Sequence, residues 1–323
     1  MVKTPQIASW KDMPKVSIIT RTKNRVLLLK RALQSVDEQT FGDWEHVIVN
    51  DGGEPAPVDE VVAARGDSRR ARTRVIHNPR SLGMEAASNV GLRQAGGDYV
   101  VIHDDDDTWA PEFLAQTTAY LDSVAHEPSS AGVITHSVRV QERIANEVIV
   151  PLDVAPVNDW MENVTLFRLA ANNPFPPISF LYRRSVLADI GYYREDLPVC
   201  GDWEFNLRFL SRYEIGVVPK PLARYHQRVS SAEGAYTNSV IGSGGLTIRR
   251  YEARVRNELL RKDLSEGKVG LGFLVNVSKS LEDIGGPIHN IGNLGNRHQT
   301  AFSYFKDKVW NLGTRFGLIR TNG

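Results

Sequence analysis

The sequence predicts an α/β protein, a largely parallel sheet flanked by helices and followed by a mainly helical C-terminal extension. Three observations predict it. Short apolar runs alternate with segments of helical period from Val16 to His103. Their spacing suits crossover units, which build parallel sheets covered on both faces. Beyond His226 the composition turns polar and the strand pattern ends.

The elements follow in order. VSIIT (16–20) is a strand, and apolar residues at 26, 29, 33 and 36 make the next segment a helix. HVIVN (46–50), RVIH (74–77) and YVVIH (99–103) are further strands, with a helix from about Met84 to Ala95. Pro111 and Glu112 suit the first turn of a helix. Residues 132–150 form a hairpin turning near Ala145 and Asn146. A Pro-rich loop, NNPFPP (172–177), precedes the strand ISFLY, and GDWEFNLRFLSRY (201–213) is a helix. A strand ends in ARYH at His226. The expected division is a domain over 1–230, nucleotide-binding over about 14–110 and acceptor-facing over about 111–230, then a separate helical extension over 231–323. Within that extension the Gly- and Asn-rich residues 281–299 are expected to be loops.

Composition narrows the function. The 323 residues carry 39 Lys plus Arg against 38 Asp plus Glu, so whole-chain charge gives no argument for a nucleic-acid or anionic-membrane partner, and no nucleic acid is expected. The single cysteine, Cys200, cannot form an internal disulfide, and the first fifteen residues lack the apolar stretch of a signal peptide. A cytoplasmic protein is expected. No apolar run approaches the roughly 18–20 residues that cross a bilayer. Residues 301–320 interleave aromatic and basic residues, which suits either peripheral contact with the inner membrane face or packing, including a homodimer contact.

Sheets of this kind bind ligands beyond the carboxyl ends of their strands. There the polar clusters fall: TRTKNR after the first strand, NDGG after the second, HNPRSLG after the third and DDDD (104–107) after the fourth. Two like charges 4 Å apart cost about 4 kcal/mol at an effective dielectric near 20, so four adjacent aspartates need an offset. A divalent cation bridging to a diphosphate supplies one, because hard cations prefer oxygen ligands. DDDDTWAPEFL resembles the D-x-D-D-x-W-x-P-x-x-L signature of glycosyltransferase family 2, whose members have the GT-A fold, a Rossmann-like, mostly parallel sheet. Residues 16–53, 78–107 and 201–210 are similar to three further segments of that family, in its order.

The resemblance implies transfer of a hexosyl-type sugar from a UDP-, dTDP- or GDP-linked donor to a carbohydrate or lipid-linked acceptor, with inversion. It places Thr20 and Arg21 near the base, and Asp51 on a pyrimidine imide, although Asp-Gly is also a turn signal by itself. It brings Arg80 and Gly83 towards the nucleotide. Asp105 is implied near the ribose, Asp106 on Mn²⁺ or Mg²⁺, and Asp104 and Asp107 in support. His226 is implied as a further metal ligand, with a purely structural histidine as the alternative. Asp202 is implied as the base that takes the acceptor proton, a role compatible with capping its helix. Trp203 either stacks on a sugar or fills the core.

Two departures stand out. Where relatives have Ala-Arg-Asn this chain has Ala87-Ser88-Asn89, and where they have Glu-Asp it has Gly201-Asp202. A nucleotidyltransferase or dehydrogenase is disfavoured because TRTKNR contains no glycine for a phosphate loop. A binding module of the same fold without turnover is the remaining alternative.

Overall fold

The computed structural model describes residues 14–229, 236 and 244–283. The chain opens with β1 (Val16–Thr22), α1 (Val26–Asp37), β2 (Trp44–Asp51), α2 (Pro55–Ala63), α3 (Asp67–Ala71) and β3 (Thr73–Asn78). It continues through α4 (Met84–Gln94), β4 (Tyr99–Ile102), β5 (Thr108–Trp109), α5 (Phe113–Ser123), β6 (Ser130–Ala145) and β7 (Val148–Pro156). Then come α6 (Leu166–Ala171), β8 (Phe180–Arg183), α7 (Leu187–Ile190), α8 (Gly201–Leu210), β9 (Glu214–Arg228) and α9 (Gly244–Glu266). A last described helix covers 271–283. Of the loops expected over 281–299, residues 281–283 are instead the end of this helix, and 284–299, with the aromatic and basic stretch 301–320, lie outside the described residues.

Among the described residues, nine strands join one sheet in the order β3-β2-β1-β4-β8-β6-β9-β5, with β7 paired to β6. The β3-β2-β1-β4 half is parallel. Its strands are apolar on both faces because helices cover both, and Val47, Ile48 and Val49 are all fully buried. Past β4 the sheet is mixed: β8 runs antiparallel to β4 and β6, whereas β6 and β9 run parallel. The segment expected as a strand from Ile178 begins at Phe180 instead, because Pro177–Ser179 takes a 3₁₀ turn. The hairpin turns at Asn146 and Glu147, both with positive φ, as a tight turn requires.

Trp109 locks the corner after β4. Its ring is buried, stacks on Phe113 at 4.4 Å, meets His103 edge-on, and donates Nε1–H to the Ile178 carbonyl at 2.7 Å. The described part of the C-terminal extension is helical. Val255 of α9 and Val275 belong to the same apolar core as Trp203 and Phe205, so this part packs on the sheet domain.

Candidate active site

A cleft of about 650 Å³ opens beyond the carboxyl ends of β1, β2, β3 and β4. Of the residues singled out in the sequence, Arg21, Asp51, Gly83, Asp104, Asp106, Asp202 and His226 line it. Thr20, Arg80 and Asp105 do not. Thr20 is buried, with its hydroxyl 2.8 Å from His46 Nε2, because neighbouring strand residues face opposite sides and Arg21 takes the cleft side. Arg80 is exposed on the loop after β3.

The loop 78–83 is organised by Asp51. Its carboxylate accepts from Asn78 Nδ2 at 2.8 Å, Ser81 Oγ at 2.7 Å, and the backbone N–H groups of Leu82 and Gly83 at 2.9 and 3.1 Å. Burial pushes this carboxyl up, but the hydrogen bonds outweigh it and hold it below the ordinary value. Gly52 turns under the same loop at φ 72°, where a Cβ would lie 2.2 Å from the Ser81 nitrogen.

The aspartate run is answered by arginines from other elements. Arg25 pairs through Nη2 and Nε with the fully buried Asp105, at 2.5 and 3.1 Å. Asp106 Oδ2 accepts from Arg25 Nη1 at 3.3 Å and from Arg228 Nη2 at 2.5 Å. Arg31 reaches from α1 to the Asp106 carbonyl and to Glu142. Besides the cation and diphosphate expected from the sequence, the chain supplies an offset of its own in these guanidinium groups. Burial raises Asp105 to about 6, with Arg25 opposing, whereas for Asp106 the arginines outweigh burial and lower it.

Pairing of β5 with β9 brings His226 beside this run. Its backbone N–H donates to Asp107 Oδ1 at 2.8 Å. Both ring nitrogens are engaged, Nδ1 with Glu142 Oε2 at 2.8 Å and Nε2 with Thr108 Oγ1 at 2.9 Å. Burial lowers its pKa, and because a carboxylate can only accept, Nδ1–H donates to Glu142. With both ring nitrogens engaged by the protein, the arrangement matches the structural alternative for His226. Glu142, at a bulge in β6 opposite Arg228, was not singled out from the sequence; a lone glutamate in a strand gives no signal.

Across the cleft, Asp202 sits in the first turn of α8, after Cys200 at φ 64°. Its Oδ2 accepts from Asn173 Nδ2 at 2.8 Å, and Asn206, one turn on, donates to Asn173 Oδ1 at 3.2 Å. Burial raises the Asp202 pKa. Trp203 is buried and donates Nε1–H to the Leu169 carbonyl, as a core residue would, and it also lines the cleft. Glu85, in the first turn of α4, also lines the cleft, and burial pushes it up to about 7 while Arg21 pulls it down. Ile248 and Glu252 of α9 complete the wall.

The sheet order and the cleft define a GT-A-type protein. The chain belongs to glycosyl transferase family 2, whose model matches residues 17–191, just over half its length, and glycosyl transfer is its class of activity. It is 28% identical over 205 residues to the uncharacterized glycosyltransferase YwdF of Bacillus subtilis, covering 64% of this chain and 71% of that one. It is 27% identical over 235 residues to a PGL/p-HBAD biosynthesis glycosyltransferase of Mycobacterium tuberculosis, covering 71% and 81%. Among solved structures, S. aureus TarS 1-349 in complex with UDP-GlcNAc superimposes with a TM-score of 0.51 at 24% identity, over 67% of this chain and 60% of that one. The mannosyltransferase PcManGT of Pyrobaculum calidifontis, with GDP-Man and Mn²⁺, gives 0.57 at 19% identity, over 83% and 70%. This chain thus spans less than two thirds of the TarS chain.

Proposed function

We propose that the protein is an inverting transferase that moves a hexosyl-type sugar from a nucleotide diphosphate to an acceptor hydroxyl, with Asp202 as base. One observation carries this reading: Asp202 faces the same cleft as Asp104 and Asp106, although about a hundred residues separate them. The acceptor oxygen forms its bond to the anomeric carbon as the bond to the diphosphate oxygen breaks. The hydroxyl proton passes to the Asp202 carboxylate, and the bonding pair leaves on the diphosphate. Asn173 holds Asp202 in place, and its raised pKa makes it a better proton acceptor than an exposed aspartate.

For a divalent cation, the residues fit in part. Asp104 and Asp106 offer hard oxygen donors to the cleft, and diphosphate and water would complete the shell. No cluster of three or more His, Cys, Asp or Glu suited to a cation exists among the described residues, and His226 is committed elsewhere. When bound to Asp106, Mn²⁺ or Mg²⁺ would neutralise charge on the departing diphosphate. Arg25 and Arg228, which share Asp106, orient that carboxylate. The UDP-GlcNAc and GDP-Man complexes of the neighbours support a nucleotide-sugar donor. The acceptor in this reading is a carbohydrate or a lipid-linked one; a Campylobacter jejuni relative, 35% identical over 95 residues and 29% of this chain, is named a glucosyltransferase of an undecaprenol-linked glycan. No helix among the described residues is long and apolar enough to cross a membrane.

The test is a panel of UDP-, dTDP- and GDP-sugars, with and without Mn²⁺, read by calorimetry and by release of nucleoside diphosphate. Asp202→Asn should bind donor within about twofold of wild type and lose roughly a hundredfold or more of turnover. Asp106→Ala should lose the metal-dependent part of donor binding. Wild-type protein that binds none of these donors would sink the transferase reading.

A further inference from the structure

The two departures from the family pattern meet in space. Arg21 Nη1 donates to the Ser88 hydroxyl at 2.6 Å and to the Met84 carbonyl at 3.3 Å, so a guanidinium from β1 lies against α4 at Ser88, where the family resemblance implies an arginine. Opposite it, the Glu85 carboxyl lies against Gly201. A Cβ added at residue 201 would stand 2.5 Å from Glu85 Cδ and Oε1, closer than real atoms approach. A side chain at 201 and the present position of Glu85 therefore exclude one another.

Glu85 is not a satisfied core residue. Its side chain is 5% exposed and lines the cleft with Asp202, and its nearest cation is Arg21, 3.7 Å from Oε2. Oε2 is buried with no hydrogen-bond partner among the described residues. Leaving a buried carboxyl oxygen unpartnered is costly, and the cleft that Glu85 lines gives a polar group a way to approach it. Arg21 is tied in addition to Asp104, with Nε 2.8 Å from Oδ1, so the pair spans from the acid run to the start of α8.

We propose that Glu85 supplies from α4 the carboxylate that relatives carry immediately before the base, and that it binds a hydroxyl of the transferred sugar. The inference rests on the transferase reading and adds a residue that the family pattern does not place there. Arg21 is its positioning partner. The transposition explains Gly201: glycine at that position makes the room that Glu85 fills.

The experiment compares binding of UDP with UDP-GlcNAc, and of GDP with GDP-mannose, by calorimetry in the presence of Mn²⁺. Wild type is set against Glu85→Ala, Glu85→Gln and Glu85→Ala combined with Gly201→Glu, each checked for an unchanged circular dichroism spectrum. Glu85→Ala should leave nucleoside diphosphate affinity within about twofold and weaken the matching nucleotide sugar roughly tenfold or more. Glu85→Gln, of nearly the same shape, should fall between. Adding Gly201→Glu should recover a large part of the loss, because it restores a carboxylate from the other side. Equal weakening of both ligands, unchanged sugar-nucleotide affinity, or no recovery in the combined variant would overturn the role of Glu85 while leaving the transferase reading standing. A wild-type protein that binds no nucleoside diphosphate would overturn both.

Discussion

Replacing Asp51 by alanine would withdraw the acceptor on which the loop 78–83 is hung. The carboxylate takes four donors, two of them backbone N–H groups that nothing else in the loop satisfies as well. A hydrogen bond to a charged group is worth about 1.5–3 kcal/mol. Leu82 is 42% exposed, so water can rehydrate part of the loop, and the net loss should be about 3 kcal/mol rather than the sum. That is a large share of a typical total of about 5–15 kcal/mol. Urea unfolding at pH 7.5 measures it. The sign with pH follows from the lowered pKa: the contribution is complete above the unfolded value of 3.8 and disappears as pH falls through the folded value. Wild type and variant should therefore converge on acidification below that point. Nucleotide affinity should fall as well, because Gly83 and the start of α4 are no longer held. A variant with wild-type stability and abolished nucleotide binding would refute this reasoning, since Asp51 would then act on the ligand alone.

Two further outcomes are expected. Glu142→Ala should cost about 3–5 kcal/mol in urea unfolding, because it strands the buried His226 ring and removes the carboxylate that holds Arg31. Gly52→Ala should cost about 1–3 kcal/mol, since φ 72° disfavours an L side chain and the added Cβ meets Ser81 backbone. The same variant should weaken nucleotide binding through the displaced loop, which a donor titration would show.

Much of the frame was legible because it is local. Apolar period and turn residues placed β1 to β4 and the helices between β1 and β2 and between β3 and β4, and the polar residues that follow each strand do reach one rim. Thr20 was legible too, had strand alternation been applied: with Arg21 facing the cleft, its neighbour must face the other way. The arginines that neutralise the aspartates were not. Arg25, Arg31 and Arg228 lie 75–122 residues from their partners, and pairings at that separation leave no trace in periodicity. The helices α2 and α3 were missed for a different reason, since α2 is short and α3 buries no residue at all. Asn173 escaped because its partners Asp202 and Asn206 lie 29 and 33 residues away in sequence.

Arg256 of α9 has a bearing on how such enzymes exchange parts. Its guanidinium lies 4.7 Å from the centre of the Trp203 ring, next to Asp202, and donates to the carbonyls of Ala170 and Ala171 at 2.9 and 2.6 Å and to that of Val275. One side chain thus rivets α6, α8 and the helix at 271–283 together, beside Asp202. A chimera that grafts a foreign C-terminal segment after residue 230 would lose that rivet together with the wall formed by Ile248 and Glu252. The described C-terminal helices are therefore part of the packing that shapes the cleft rather than a detachable module.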